Sequence, residues 1–193
     1  MKKQSEITRR RFLGSISLLA AGSTLISLKG AEDLMPVAAK QPKKLLWNEF
    51  TDEEKEMVSR SQRARIALEI DGGSCAEKVL LTTIRSFRKP DKLVSFAASF
   101  GGGLKKGDLC GLLTGTFMSI GFASERLIRK EEERPAWVSE KTNEFWAWWE
   151  ERAPRHCNEL RELYASSDKA VHQANFNRML QRIALKMDEM FVV

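Results

Sequence analysis

Residues 108–128 read DLCGLLTGTFMSIGFASERLI, and this stretch decides the fold. A helix drawn through it has almost no polar face, because large apolar side chains occur all around it: Leu109, Leu112, Leu113, Phe117, Met118, Ile120 and Phe122. A helix that is apolar all round lies at the centre of a protein. Small residues recur at every fourth position, at Gly111, Gly115 and Ser119. We therefore predict a central helix that a second helix approaches closely along this line.

Helical patterns precede the central segment. Thr51 is a good N-cap for a helix that continues to Leu68 and ends at residues 71–73. Ser74 and Glu77 form the capping box Ser-x-x-Glu, which predicts that the next helix begins at Ser74.

More helices complete the pattern. Pro90 opens a short helix that residues 101–103, three glycines, end. Beyond the central helix, apolar spacing predicts helices over residues 136–151, over residues 155–165, and from Ser167 onward. Neither β alternation nor an internal repeat is present in the sequence. The sequence therefore predicts an all-α bundle of five or six helices.

The N-terminus has the features of an export signal. Arg9 and Arg10 are followed by Phe-Leu and then by an uncharged run of small and apolar residues, 14–28. A basic start, a short apolar run and a small-residue exit are typical of a signal peptide, and the arginine pair is typical of the twin-arginine pathway. The run is too short and too rich in Gly and Ser for a comfortable membrane span. We predict a periplasmic or otherwise exported protein that meets the membrane only transiently, through this signal.

The domain boundaries follow from the signal. Val37-Ala38-Ala39 suits a signal peptidase, so we place cleavage after Ala39, followed by a linker over residues 40–50 and a helical domain over residues 51–193. The net charge is +6 for the chain and falls to +3 without the signal. Since Lys and Arg are scattered among Glu on helical faces, we expect no nucleic-acid partner.

Three cysteines are the main candidates for chemistry. Cys75 follows the cap Ser74, Cys110 lies two residues after the expected cap Asp108, and Cys157 lies in the first turn after Pro154. Free backbone amides at a helix start stabilise a thiolate, so this placement suits a redox pair or a thiolate metal site. Packing of small cysteines in a core is an equally weighted alternative. Neither Cys-x-x-Cys nor Cys-x-x-Cys-His is present, which argues against a thioredoxin-type motif and against covalent c-type haem.

Four short motifs accompany the cysteines: residues 73–76 (Gly-Ser-Cys-Ala), 97–103 (Ala-Ala-Ser-Phe-Gly-Gly-Gly), 110–115 (Cys-Gly-Leu-Leu-Thr-Gly) and 157–160 (Cys-Asn-Glu-Leu). In this order they resemble the C-GCAxxG-C-C family, whose members are named for redox activity and are often exported by the twin-arginine route. The family has Ala where Leu112 stands and a fourth cysteine some tens of residues after Cys157, where this chain has none. His172 is the candidate to replace it.

The resemblance implies a redox-active protein. Our leading hypothesis is that Cys75 and Cys110 form a reversible thiol pair. Together with Cys157 and His172 these cysteines could instead hold an iron–sulfur centre or another thiolate-bound metal; with zinc the site would be structural. The glycines of residues 101–103, with Gly111 and Gly115, would let backbone approach the cofactor. Whether the protein is an enzyme stays open.

An aromatic cluster offers a second hypothesis. Residues 145–149 read Phe-Trp-Ala-Trp-Trp and cover more than one helical face. Core packing is the preferred interpretation, and the alternative is a redox partner protein docked at the Trp146–Trp149 segment. On that alternative, the chain is a non-catalytic subunit of an exported or membrane-associated redox complex. His156 adjoins Cys157, but neighbouring helical residues point about 100° apart, so the two need not share a site.

Overall fold

The structure is a computed structural model that describes residues 45–192. Its regular elements are helical, which confirms the predicted all-α class. Seven α-helices occur in this part of the chain, one more than the upper expectation: α1 (Asp52–Arg60), α2 (Gln62–Glu69), α3 (Cys75–Ser86), α4 (Gly111–Leu127), α5 (Arg134–Glu150), α6 (Cys157–Tyr164) and α7 (Lys169–Met190). A 3-10 helix (Asp91–Phe100) and a π-type turn (Gly103–Gly107) join α3 to α4. The predicted signal segment, with Arg9, Arg10 and the cleavage site, lies outside the described residues.

The extra helix arises at Ser61. The sequence predicted one helix from Thr51 to Leu68, and this prediction was wrong, because Ser61 has an extended backbone that ends α1 and begins α2. Its hydroxyl accepts a hydrogen bond from the Ala64 N–H at 2.9 Å and donates one to the Asp188 carboxylate on α7. A serine that caps a new helix competes with continuation of the old one.

Helix α4 is the centre of the bundle, as predicted. Leu112, Leu113 and Ile120 are almost completely buried. Its line of small residues faces α3: a Cβ atom added to Gly115 would lie 2.6 Å from the Ala76 carbonyl oxygen. The Ser119 hydroxyl donates to the Gly115 carbonyl at 2.8 Å. The prediction that these positions serve close helix packing is confirmed.

The chain before α1 is anchored on α7. Leu46, within the predicted linker, is fully buried, and Arg182 donates hydrogen bonds to the Leu46 and Asn48 carbonyl oxygens at 2.6 and 2.7 Å. The same guanidinium binds the Glu54 carboxylate at 3.0 Å. Residues 46–54 are therefore part of the folded domain. No helix among residues 45–192 has the length and apolar character needed to cross a membrane.

The tryptophan helix α5 is divided between core and surface. Phe145 and Trp149 are fully buried, and the Trp149 indole N–H donates to the Pro154 carbonyl at 3.1 Å. Trp146 and Trp148 are half-buried, each with an arginine guanidinium over its ring. The core interpretation therefore holds for the two buried rings, and only the other two could contact a partner.

Candidate cysteine site

All three cysteines lie at helix N-termini. Cys75 is the first residue of α3, Cys157 is the first residue of α6, and Cys110 is the N-cap of α4. The prediction of a shared helix-start placement is confirmed. The expectation that Asp108 caps α4 was wrong: Asp108 lies outside the helix, and its carboxylate Oδ1 is 3.2 Å from Nδ1 of His156. The thiols of all three are free.

A short antiparallel bridge joins the segments that carry Cys110 and Cys157. Leu109 pairs with His156, the Cys110 N–H donates to the Arg155 carbonyl at 2.9 Å, and the Cys157 N–H donates to the Asp108 carbonyl at 2.7 Å. In such a bridge the residues that follow the paired positions are diagonal neighbours on one face. Backbone pairing therefore places Cys110 close to Cys157, although 47 positions separate them in the sequence.

Helix packing brings Cys75 to the same place. A Cβ atom added to Gly111, which follows Cys110, would lie 3.1 Å from the Cβ of Cys75. The thiols also interact electrostatically: ionised Cys157 raises the pKa of Cys75, and ionised Cys75 and Cys157 both raise the pKa of Cys110. The three cysteines thus form one cluster at the meeting point of α3, α4 and α6.

The glycine loop encloses this cluster. Gly103 has φ +61°, and a Cβ atom there would lie 2.5 Å from the Asp108 nitrogen and 2.7 Å from the Cβ of Cys157. A Cβ on Gly101 would overlap the Ser74 side chain beside Cys75, whereas Gly102 has open space around it. Two of the three glycines therefore permit close approach of the backbone to the cysteine helices.

Burial affects the pKa of Cys75 and Cys110 more than the nearby helix N-termini do. Burial raises the pKa of Cys110 to about 12, although the backbone amides of Leu112 and Leu113 favour its thiolate. Burial also raises the pKa of Cys75. The expectation that the helix starts would hold these two groups as thiolates was therefore wrong, because desolvation disfavours the charged form.

Tyr164 is a member of the site that the sequence reasoning missed. Burial, followed by the charge of ionised Cys75, raises the pKa of its phenol to about 12, and Cys110 and Cys157 act in the same direction. It lies at the end of α6, seven residues after Cys157. Seven residues correspond to two helical turns, so Tyr164 lies on the same face of α6 as Cys157. This spacing, in the only tyrosine of the chain, could have identified Tyr164 from the sequence.

A family model described as "Putative redox-active protein (C_GCAxxG_C_C)" matches residues 74–190. The match covers more than half of the chain and includes all three cysteines. The chain belongs to the C_GCAxxG_C_C family. No curated protein and no solved structure shows a significant similarity to it.

In this C_GCAxxG_C_C protein, His172 lies beside Tyr164, with ring centroids 5.0 Å apart and ring planes tilted by 39°. Among residues 45–192, no group of three or more His, Cys, Asp or Glu side chains is placed to hold a metal ion. The arrangement therefore does not fit the predicted ligand set of three cysteines and His172, and we derive no step through a metal or an iron–sulfur centre.

Proposed function

We propose that the protein is an exported thiol redox protein in which Cys75 and Cys110 alternate between two thiols and one disulfide. The observation that carries the proposal is the packing of α3 on α4 at Gly111, which sets Cys75 beside the N-cap cysteine of α4. Ionised Cys75 and ionised Cys157 both raise the pKa of Cys110, and ionised Cys157 raises the pKa of Cys75, so the three thiols lie near one another. Cys157 is then the third thiol of the cluster and stays reduced.

Exposure gives the two cysteines different roles. Cys75 is partly exposed, whereas Cys110 is only 2% exposed. The Cys75 thiolate attacks one sulfur of a partner disulfide, forms a mixed disulfide and releases one partner thiolate. Cys110 then attacks the Cys75 sulfur and releases the second partner thiolate. The protons of Cys75 and Cys110 end on the two partner thiols, so the partner is reduced by two electrons and this protein is oxidised by two.

The disulfide can be mapped directly. The air-free protein is treated with a disulfide such as oxidised glutathione, the remaining thiols are alkylated, and the peptides are identified by mass spectrometry. We expect a Cys75–Cys110 bond and an alkylated Cys157. The matched control is Cys157→Ser, which should still oxidise, while Cys75→Ser and Cys110→Ser should not form an internal bond. A Cys110–Cys157 bond, or three thiols that never pair, would contradict the assignment.

Export is proposed from the sequence alone. The paired arginines are read by a receptor that recognises guanidinium groups, so changing Arg9 and Arg10 to Lys should leave the precursor in the cytoplasm. The control is the single change Arg11→Lys, which keeps the pair. N-terminal sequencing of the exported protein should begin at Lys40. Normal export of the double-Lys variant would refute the twin-arginine assignment.

A role as a non-catalytic subunit of a redox complex is the second candidate. Half-buried Trp146 and Trp148 are the side chains that favour it, because their rings stay partly open beside Arg155 and Arg152. Air-free purification from the native exporter distinguishes the two roles. A monomer whose thiols exchange with glutathione supports the first, whereas redox-inert protein that copurifies with one neighbour supports the second.

A further inference from the structure

One side of the 3-10 helix combines exposed cations with exposed apolar side chains. Arg88, Lys89 and Lys92 are exposed, and Leu93 and Phe96 are 43% and 67% exposed. We call these five residues the basic–apolar strip. Leu and Phe are residue types found on the apolar face of helices that lie in a membrane interface, and Phe96 has the larger exposed fraction of the two. The strip is separate from the cysteine cluster proposed above.

The geometry of the 3-10 helix aligns the strip. Its inner face is set by Ala97, which is fully buried, and by Phe100, which packs against the same small core cluster three residues later. A 3-10 helix has three residues per turn, so side chains at positions i and i+3 eclipse each other. Leu93 and Phe96 therefore lie on one line, about 120° around the helix from Ala97 and Phe100, and Lys92 lies on the third line, about 120° from both of the others. Lys92, Leu93 and Phe96 are all exposed, so these two lines face away from the core.

Positive charge is concentrated around these apolar side chains. Residues 85–96 contain four Lys or Arg and one Asp, whereas residues 45–192 as a whole contain 23 Lys or Arg and 23 Asp or Glu. The Asp is engaged by Arg85, with Nη2 and Oδ2 2.8 Å apart. Within the described part of the chain, no ion pair reaches Arg88, Lys89 or Lys92. The positive field of the strip is therefore directed at solvent.

One cation occupies a position that normally favours glycine. Helix α3 ends with the Lys89 N–H donating to the Ile84 carbonyl at 3.1 Å, and Arg88 lies between them with φ +53°. This left-handed position after a helix is usually glycine, because a Cβ atom is disfavoured there. The Arg88 side chain is exposed, so packing does not explain it. Compared with glycine, arginine at this position destabilises the fold but adds a positive charge to the strip.

We propose that the basic–apolar strip binds the surface of an anionic phospholipid membrane, with Leu93 and Phe96 entering the headgroup region and the three cations contacting lipid phosphates. We choose anionic lipid as the partner because its negative charge complements the three cations of the strip. The strip is a small set of five exposed side chains, which a flexible lipid surface can cover. A stable protein interface buries about 800 Å² on each partner, well beyond the area that five side chains offer.

The test localises membrane contact by hydrogen exchange. The full chain is incubated with vesicles of phosphatidylcholine and phosphatidylglycerol in a 3:1 ratio, or with pure phosphatidylcholine. We expect the anionic vesicles alone to slow exchange in residues 88–100. The predicted signal segment is common to all variants, so it does not produce differences in protection between them.

Variants separate charge from folding. Each cation contributes about fivefold to the affinity for anionic lipid, so changing Arg88, Lys89 and Lys92 to Gln should weaken the local contact about a hundredfold. The matched control removes three exposed cations elsewhere, Arg129, Lys130 and Lys169, and should keep protection at residues 88–100.

A single change at Arg88 supplies the sharpest comparison. Arg88→Gly should weaken the contact about fivefold while raising the melting temperature, because glycine suits the left-handed position. Cys75→Ser should leave lipid binding unchanged, so failure of this proposal is distinguishable from failure of the redox proposal. Absence of protection, or equal loss in the control triple variant, would overturn the membrane assignment. Charge-dependent binding of the strip to an acidic protein, without vesicle binding, would also overturn it.

Discussion

Replacing Gly103 by alanine tests whether the glycine loop closes on the cysteine cluster. The added Cβ would lie 2.5 Å from the Asp108 nitrogen and 2.6 Å from the Asp108 oxygen. These backbone atoms have little freedom to move, because the Asp108 N–H donates to the Gly103 carbonyl at 3.0 Å and the Asp108 carbonyl accepts from the Cys157 N–H. The Cβ would also lie 2.7 Å from the Cβ of Cys157. The substitution should therefore strain both the loop and the start of α6.

Gly102 provides the matched control. It has φ +63°, close to the +61° of Gly103, but a Cβ atom there meets nothing within 4 Å. Gly102→Ala should therefore cost only the left-handed backbone penalty of about 1–2 kcal/mol. Gly103→Ala should cost this penalty plus about 1–3 kcal/mol for overpacking, or about 2–5 kcal/mol in all. The unfolded-state entropy effect of Gly→Ala is common to both variants, so it cancels in their difference.

Urea unfolding measures the difference, provided that both variants keep the same m-value. We expect Gly103→Ala to be less stable than Gly102→Ala by about 1–3 kcal/mol. The alkylation rate of Cys157 should also rise in Gly103→Ala and not in Gly102→Ala, because the start of α6 is displaced. Equal stability of the two variants would refute the close approach of Gly103 to Asp108 and Cys157.

Three further predictions concern the thiols and the core. An unfolded cysteine ionises near pH 9.0, whereas burial raises the pKa of Cys110 to about 12. The neutral Cys110 thiol therefore contributes stability below pH 9, and this contribution is lost as the pH rises toward 12. In Cys110→Ser the free energy of unfolding should fall less steeply over this alkaline range. Alkylation of Cys75 at pH 7 should be slower than alkylation of free cysteine, since burial raises its pKa; faster labelling would contradict the effect of burial. Trp149→Ala should lower the free energy of unfolding by about 3–5 kcal/mol, whereas Trp148→Ala, at a half-buried position, should lower it less.

Local signals in the sequence predicted several elements correctly. Ser74 and Glu77 form the capping box at the start of α3, with both hydrogen bonds present. Gly111 and Gly115 face α3 as their spacing predicted. Each of these features depends on residues within one turn of each other, or on a periodic line along one helix. A sequence carries such information without knowledge of the fold.

The features that sequence reasoning missed depend on distant partners. Asp108 is a better N-cap than cysteine by residue type, yet its backbone pairs with Cys157 and its side chain contacts His156, so Cys110 is the N-cap and α4 begins at Gly111. The burial of the thiols, and hence the raised pKa of Cys75 and Cys110, follows from the packing of helices that are far apart in the sequence. The helix-start pattern correctly located the cysteines but gave the wrong direction for these pKa shifts.

The lack of a fourth cysteine and the geometry of the site both favour dithiol chemistry over a four-ligand metal centre. A four-ligand thiolate centre would need a substitute ligand, but the His172 ring lies beside Tyr164, and the described residues offer no group of three or more His, Cys, Asp or Glu placed around a metal ion. A dithiol needs only two sulfurs with different exposure. Cys75 can meet a partner, and buried Cys110 can resolve the mixed disulfide behind it. Because burial holds both groups as neutral thiols, the pair should react slowly until a partner or alkaline pH promotes ionisation of Cys75. On the proposed function, that requirement would protect the thiols from indiscriminate oxidation while leaving Cys75 open to a partner that docks over it.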